Sequence, residues 1–177
     1  MQNIGKIAAM GAALATAALA LTACGQKDAP AAAQSPSREC TADDVKTTGK
    51  FGEAPTITIP DDCTPPKKLV TKDLSDGTGE GARPGQQLEM NYTLVTWSDK
   101  KKLDSSFDRG ETFPLPLGAG KVIQGWDQGL AGIKQGARRL LIIPPDLGYR
   151  QGGNGVKPNE TLVFVTDAVK VSGDTGP

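Results

Sequence analysis

The chain of 177 residues carries twenty lysine and arginine residues and twenty aspartate and glutamate residues, so its formal net charge is zero. A balanced charge without a long basic block argues against nucleic acid as the main partner. The sequence contains no histidine, which excludes Ser-His-Asp and Cys-His nucleophile systems and histidine-ligated zinc. The length fits one medium-sized domain with additional segments.

The first residues have the features of an export signal. Residues 7–23 are uncharged and rich in alanine and leucine, which is long for a signal-peptide core and slightly short for a membrane span. They end in Leu21-Thr22-Ala23-Cys24, which resembles the bacterial lipobox, where the cysteine receives a diacylglycerol. We therefore predict a signal peptide over residues 1–23 and an extracytoplasmic protein anchored to the cell membrane through a lipid on Cys24. An ordinary secretory signal and an uncleaved anchor are the alternatives.

Lipidation of Cys24 would leave two cysteines, Cys40 and Cys63. In an exported protein, an even number of remaining cysteines favours a disulfide bond between them. Two free thiols in a flexible arm are the alternative. No histidine and no Cys-x-x-Cys motif accompanies them, so the sequence does not support a metal site.

Composition divides the rest of the chain into segments. Residues 24–39 are rich in Ala, Pro, Ser and Gln and are typical of a flexible tether. Residues 40–66 form a small cysteine-containing arm with two short β-like runs, punctuated by proline. A compact domain is predicted over residues 67–172, followed by a tail over 173–177.

Three strand patterns stand out in the predicted domain. Leu88, Met90, Tyr92 and Leu94 alternate with polar residues, which is the period of a half-buried strand. A second strand is predicted over residues 138–143, where two prolines stop it. A third is predicted over 161–171, and because both of its faces are largely apolar, we expect it at the centre of the sheet.

One stretch has helical spacing. Ile123, Trp126, Leu130 and Ile133 recur at intervals of three and four residues and share one face. Its internal glycines weaken an isolated helix, so the helix must pack against a sheet. These patterns predict an α+β fold, in which a curved antiparallel β-sheet (a half-barrel) wraps around one short α-helix.

Ordered sequence segments carry a family resemblance. They are Asn91-Tyr92-Thr93, Leu103-Asp104-Ser105-Ser106 with Arg109 and Phe113, Val122-Ile123-Gln124-Gly125-Trp126, the segment from Ile143 to Tyr149, and the segment from Pro158 to Phe164. In this order they resemble the FKBP family of peptidyl-prolyl cis–trans isomerases, the macrolide-binding immunophilins. The lipobox and the cysteine-containing arm resemble secreted FKBP lipoproteins of high-GC Gram-positive bacteria.

The resemblance implies one pocket and a role for each of its residues. Trp126 is expected to form the floor, the Tyr149 hydroxyl and the Ile123 N–H to contact substrate, and Asp104 to face a substrate carbonyl. The implied catalytic residues are Asp104, Tyr149, Ile123 and Tyr92, and the implied substrate-binding residues are Leu103, Arg109, Phe113, Val122, Trp126, Val156 and Phe164.

The resemblance also implies partners and chemistry. The expected substrates are proline-containing unfolded or exported polypeptides, and the expected inhibitors are macrolides of the FKBP class. The protein is expected to be a monomer. Isomerisation needs no nucleophile, metal or cofactor, because desolvation and a few hydrogen bonds favour the twisted bond. Leu103 replaces the phenylalanine usual in the family, and the 150–157 loop is short. A non-catalytic chaperone or proline-peptide-binding module with the same fold is therefore the alternative.

Overall fold

The computed structural model describes residues 38–174. The predicted signal peptide, Cys24 and nearly all of the tether lie outside this range. Within it, no helix is long and apolar enough to span a membrane.

Short elements make up the described chain. In order, they are β1 (Lys46–Thr47), β2 (Ile57–Thr58), β3 (Val70–Ser75), β4 (Gln86–Thr96), β5 (Lys102–Ser105), α1 (Ser106–Arg109), β6 (Phe113–Pro116), α2 (Gln124–Gly129), β7 (Arg138–Ile143), a 3₁₀ turn (Pro145–Leu147) and β8 (Leu162–Asp174). The predicted strand over residues 138–143 has the same bounds as β7. The single-turn helix α1 was not predicted, because four residues are too few to show a helical period.

One antiparallel sheet dominates the fold. Its strands lie in the order β3-β7-β8-β4-β5, and β6 pairs with the first half of β4. Phe164 on β8 pairs with Leu94 on β4 on one side and with Leu141 on β7 on the other. The predicted central position of β8 and the predicted α+β class are therefore confirmed.

The two faces of the sheet bury two separate apolar clusters. On β8, Leu162 and Phe164 belong to the cluster beneath α2, while Val163 and Val165 point to the opposite face. This is the period of two that a strand imposes on its side chains. Both faces of β8 are apolar in sequence because each of them packs in one of these buried clusters.

Helix α2 lies close against β7, and two glycines make this possible. A Cβ atom on Gly125 would clash with Ile143, and one on Gly129 would lie 2.9 Å from Leu141 Cδ2. The helix ends at Gly129, earlier than the spacing predicted, although Leu130 and Ile133 are fully buried in the same cluster. Tight packing on the sheet thus offsets the low helix propensity of glycine.

The arm covers the other face. Strands β1 and β2 pair as a small antiparallel sheet, and a disulfide joins Cys40 to Cys63, as predicted. The buried cluster on this side combines arm residues with residues of β4, β7 and β8 and with Trp97: Cys40, Val45, Ile57, Ile59, Cys63, Val95, Trp97, Leu140, Ile142, Val163 and Val165. The arm is therefore packed against the back of the sheet, opposite α2.

Candidate functional site

A cavity of about 200 Å³ opens on the α2 side of the sheet. The residues that line it come from β4, β5, β6, β8, α2 and the loops beside them. They are Tyr92, Leu94, Asp104, Phe113, Lys121, Val122, Ile123, Trp126, Tyr149 and Phe164.

Trp126 is the centre of an aromatic cluster in this cavity. The ring centroids of Tyr92, Phe113 and Phe164 lie 5.4, 5.8 and 5.3 Å from that of Trp126, each in an edge-on arrangement. Edge-to-face pairs at these distances are favourable beyond their buried area. Trp126 is 4% exposed, so the cavity has a closely packed, apolar floor and aromatic walls.

Asp104 is the carboxylate of the cavity, and its oxygens are already bound. The Tyr92 hydroxyl donates to one carboxylate oxygen, and Arg109 forms an ion pair with the other. Arg109 also donates to the Tyr92 hydroxyl oxygen at 2.9 Å. The antiparallel pairing of β4 with β5 brings Tyr92 and Asp104 together beside the cavity, and Arg109 joins them from α1, which follows β5 directly.

The network sets the charge of each member. Burial raises the pKa of Asp104, but the hydrogen bonds from Tyr92 and Arg109 outweigh burial and hold this pKa below its ordinary value. Burial and the bond to Asp104 raise the pKa of the Tyr92 hydroxyl. Asp104 is therefore an anion and Tyr92 a neutral donor at neutral pH.

Several hydrogen-bond donors of the cavity lining have no partner within the described residues, the buried Trp126 Nε1–H among them, and two of them suit a substrate carbonyl. The backbone N–H of Ile123, which precedes α2, and the hydroxyl of half-buried Tyr149 each line the cavity and make no hydrogen bond there. Ile123 is the N-cap residue of α2, so its carbonyl accepts from Trp126 N–H at 2.9 Å while its own N–H is outside the helix. Both donors are thus free to bind a carbonyl oxygen.

The structure brings together eight of the eleven predicted pocket residues. The other three lie beside the cavity rather than on its lining. Leu103 is 37% exposed and lines a neighbouring cavity next to Gly155. Val156 is buried in the cluster beneath α2, and Arg109 acts from outside through Asp104 and Tyr92.

Leu94 and Lys121 line the cavity but were not predicted. Leu94 lies two residues after Tyr92, and the alternation of β4 places both on the same face, which was a usable signal. Lys121 carries no pattern of its own. Its position follows from Val122 and Ile123, which come directly after it.

One group of potential metal ligands occurs in residues 38–174. It consists of Cys40, Asp44 and Cys63, but the two sulfur atoms are bonded to each other, so neither offers a thiolate. Asp44 accepts hydrogen bonds from Arg38 and Thr41. That the reaction needs no metal or cofactor stays a prediction.

The family of the chain follows from comparison with known proteins. The family model for FKBP-type peptidyl-prolyl cis-trans isomerase matches residues 79–169, more than half of the chain. The chain belongs to this family. The predicted family and enzyme class, peptidyl-prolyl cis–trans isomerase, are therefore confirmed.

Relatives and solved structures agree. An FK506-binding protein of Streptomyces anulatus is 46% identical over 110 residues, which cover 60% of this chain and 89% of that protein. The crystal structure of AtFKBP13 matches 58% of this chain and 91% of its own with 32% identity and a TM-score of 0.52. That of FkpA from Escherichia coli matches 59% of this chain and 48% of its own with 37% identity and a TM-score of 0.55. The FKBP-like fold is thereby confirmed.

Proposed function

We propose that this FKBP-type protein catalyses cis–trans isomerisation of X-Pro bonds in exported proteins, outside the cytoplasm. The observation that carries the proposal is the pairing of a closely packed aromatic cavity with two unpartnered donors, the Ile123 N–H and the Tyr149 hydroxyl. Family membership supplies the reaction class, and the geometry supports a mechanism for it.

The first part of the mechanism is removal of water. Rotation about an X-Pro bond crosses a barrier of about 18–20 kcal/mol because it destroys amide resonance. Resonance places negative charge on the carbonyl oxygen, which water stabilises in the planar bond. Trp126, Phe113 and Phe164 surround a bound proline with apolar surface, so the less polar twisted state is favoured over the planar state.

The second part is orientation of the substrate. The free Ile123 N–H and Tyr149 hydroxyl can each donate to a substrate carbonyl and so select one geometry of the peptide. Asp104, whose carboxylate is held by Tyr92 and Arg109, lines the same cavity, and we expect it to face the carbonyl group of the rotating bond. A reduction of the barrier by about 5 kcal/mol would accelerate isomerisation several thousandfold.

We also propose that macrolides of the FKBP class bind the same cavity. Relatives of this chain carry the name FK506-binding protein. A macrolide that offers a proline-like ring to Trp126 and carbonyl oxygens to Ile123 and Tyr149 would use the contacts assigned to the peptide. Competition between macrolide and peptide is therefore expected.

The location of the protein is a separate proposal. The lipobox and the Ala/Pro/Ser-rich tether support a lipoprotein of the secreted FKBP subgroup, held to the membrane through Cys24. Mass spectrometry of the membrane fraction should show a diacylglyceryl-modified Cys24 as the first residue. A mature protein that starts at an unmodified Met1 would overturn this proposal.

An isomerase assay tests the catalytic proposal. A protease-coupled or NMR-exchange assay on a set of X-Pro peptides should show turnover that rapamycin-class macrolides inhibit. Binding of macrolide and peptide without turnover would instead favour the non-catalytic binding module. One observation favours the non-catalytic binding module as the second candidate function. Leu103 is exposed beside the cavity, which leaves one side of a bound proline less enclosed.

A further inference from the structure

We propose that Lys121 gives the enzyme a preference for proline bonds flanked by an acidic residue. The proposal deepens the isomerase function above and rests on it. Lys121 is exposed and lines the cavity directly before Val122 and Ile123.

The charge of Lys121 is not offset at the cavity. Two charged residues belong to the lining, Asp104 and Lys121. Asp104 is bound by Tyr92 and Arg109, so a cation already neutralises it. Among residues 38–174, no carboxylate oxygen lies within 4.0 Å of the Lys121 ammonium. The cavity therefore presents one uncompensated positive charge to a bound peptide.

The backbone around Lys121 is held in place by α2. Gly118 and Gly120 have φ angles of +76° and +65°, a conformation that glycine adopts without strain. Their N–H groups donate to Asp127 Oδ1 and Oδ2 at 2.8 and 3.0 Å. Both oxygens of Asp127 thus bind the turn, and the acidic residue of α2 fixes the position of Lys121 without pairing with it.

The distance along the chain places Lys121 beside the substrate. The Ile123 N–H, which is free to bind a substrate carbonyl, lies two residues further on, and two residues span at most about 7 Å. The flexible four-carbon lysine side chain can bring its ammonium to a carboxylate on the residue next to proline. Exposed ion pairs are weak, so we expect about two- to fivefold discrimination, reduced by salt.

Isosteric peptides isolate the charge. The full-length chain is assayed at low ionic strength with the capped, uncharged-end peptides Ala-Glu-Pro-Phe and Ala-Gln-Pro-Phe, and with Ala-Ala-Pro-Glu and Ala-Ala-Pro-Gln. Both kcat/KM, from NMR exchange, and Kd, from chemical-shift titration, are measured. At least one Glu peptide should exceed its Gln partner about two- to fivefold, and the ratio should fall toward one in 0.5 M salt.

Variants assign the preference to one side chain. Lys121→Gln should bring the Glu/Gln ratio to about one, and Lys121→Glu should reverse it, whereas the exposed Lys134→Gln control should keep it. Ratios of one in the wild type, a ratio that survives Lys121→Gln, or a ratio lost equally in Lys134→Gln would overturn the proposal. Absence of turnover on every peptide would reject the isomerase function alone, since the Kd ratios still decide the role of Lys121.

Discussion

Arg138 on β7 and Asp167 on β8 face each other across neighbouring strands of the sheet and form a buried ion pair. The Nε–Oδ1 and Nη2–Oδ2 distances are 2.6 and 2.8 Å, and the side chains are 3% and 1% exposed. The arm completes the arrangement, since Gly52 N–H donates to Asp167 Oδ2 at 2.7 Å and Arg138 Nη2 donates to the Glu53 carbonyl at 2.6 Å. Arm and sheet are therefore joined by polar contacts as well as apolar ones.

Breaking this ion pair should be costly to the fold. Asp167→Ala leaves the Arg138 charge buried without a partner, and we expect the free energy of unfolding to fall by about 3–5 kcal/mol. Urea denaturation measures this change. The control is Glu80→Ala, which removes the partner of Arg83 in an exposed ion pair whose side chains are 83% and 70% exposed, and it should cost under about 1 kcal/mol. Equal losses in the two variants would contradict the role of burial.

The ion pair also shows what the sequence could and could not reveal. The alternation of β8 correctly predicted a central strand, yet Asp167 lies on one of its apolar faces. Its partner Arg138 is 29 residues away, and no local pattern links them. Likewise, the motifs located Tyr92, Asp104 and Trp126, whereas the hydrogen bonds from Gly118 and Gly120 to Asp127, which hold the turn before α2 in place, follow from no motif.

The disulfide should stabilise the arm without serving the cavity. Neither Cys40 nor Cys63 lines the cavity, and both belong to the cluster on the other face of the sheet. A Cys40→Ala/Cys63→Ala variant should lose about 3 kcal/mol of stability, since the closed loop spans 23 residues in sequence. Its kcat/KM at 25 °C should equal that of the wild type. Lost activity in a variant that circular dichroism shows to be folded would link the arm to the site.

Leu103→Phe should enclose the cavity better. Leu103 is 37% exposed beside the cavity, and a larger ring there can cover one side of a bound proline. Because burial of additional apolar surface contributes about 0.8 kcal/mol per methylene equivalent, we expect about a fourfold gain in kcat/KM or macrolide affinity. Leu103→Ala is the control and should reduce both. If neither substitution changes turnover or affinity, Leu103 does not contact the ligand.

The pH dependence of activity should be flat from about pH 6 to 8. The chain has no histidine, the pKa of Asp104 is lowered and that of Tyr92 is raised, so none of these groups titrates in this range. Because the pKa of Asp104 is lower in the folded state than in the unfolded state, its ionised form stabilises the fold at pH values above the unfolded pKa. This contribution is lost only as the pH falls below about 4 and passes through the folded pKa. Rate profiles of the wild type and Asp104→Asn check this. A steep change between pH 6 and 8 would contradict it.

Tyr149→Phe tests the orienting hydrogen bond with the least disturbance of packing. The hydroxyl has no partner in the described part of the chain, so its removal leaves no protein group unsatisfied and should not change the unfolding midpoint. Loss of one substrate hydrogen bond should cost about 0.5–1.5 kcal/mol of transition-state stabilisation, or about a 2- to 13-fold fall in kcat/KM. Trp126→Ala is the contrast, because truncation of a buried aromatic also destabilises the fold by about 3–5 kcal/mol. Full activity in a double variant with Tyr149→Phe and Asp104→Val would refute a mechanism that relies on these two side chains, and would assign the rate enhancement to desolvation by the aromatic cavity and to the Ile123 N–H.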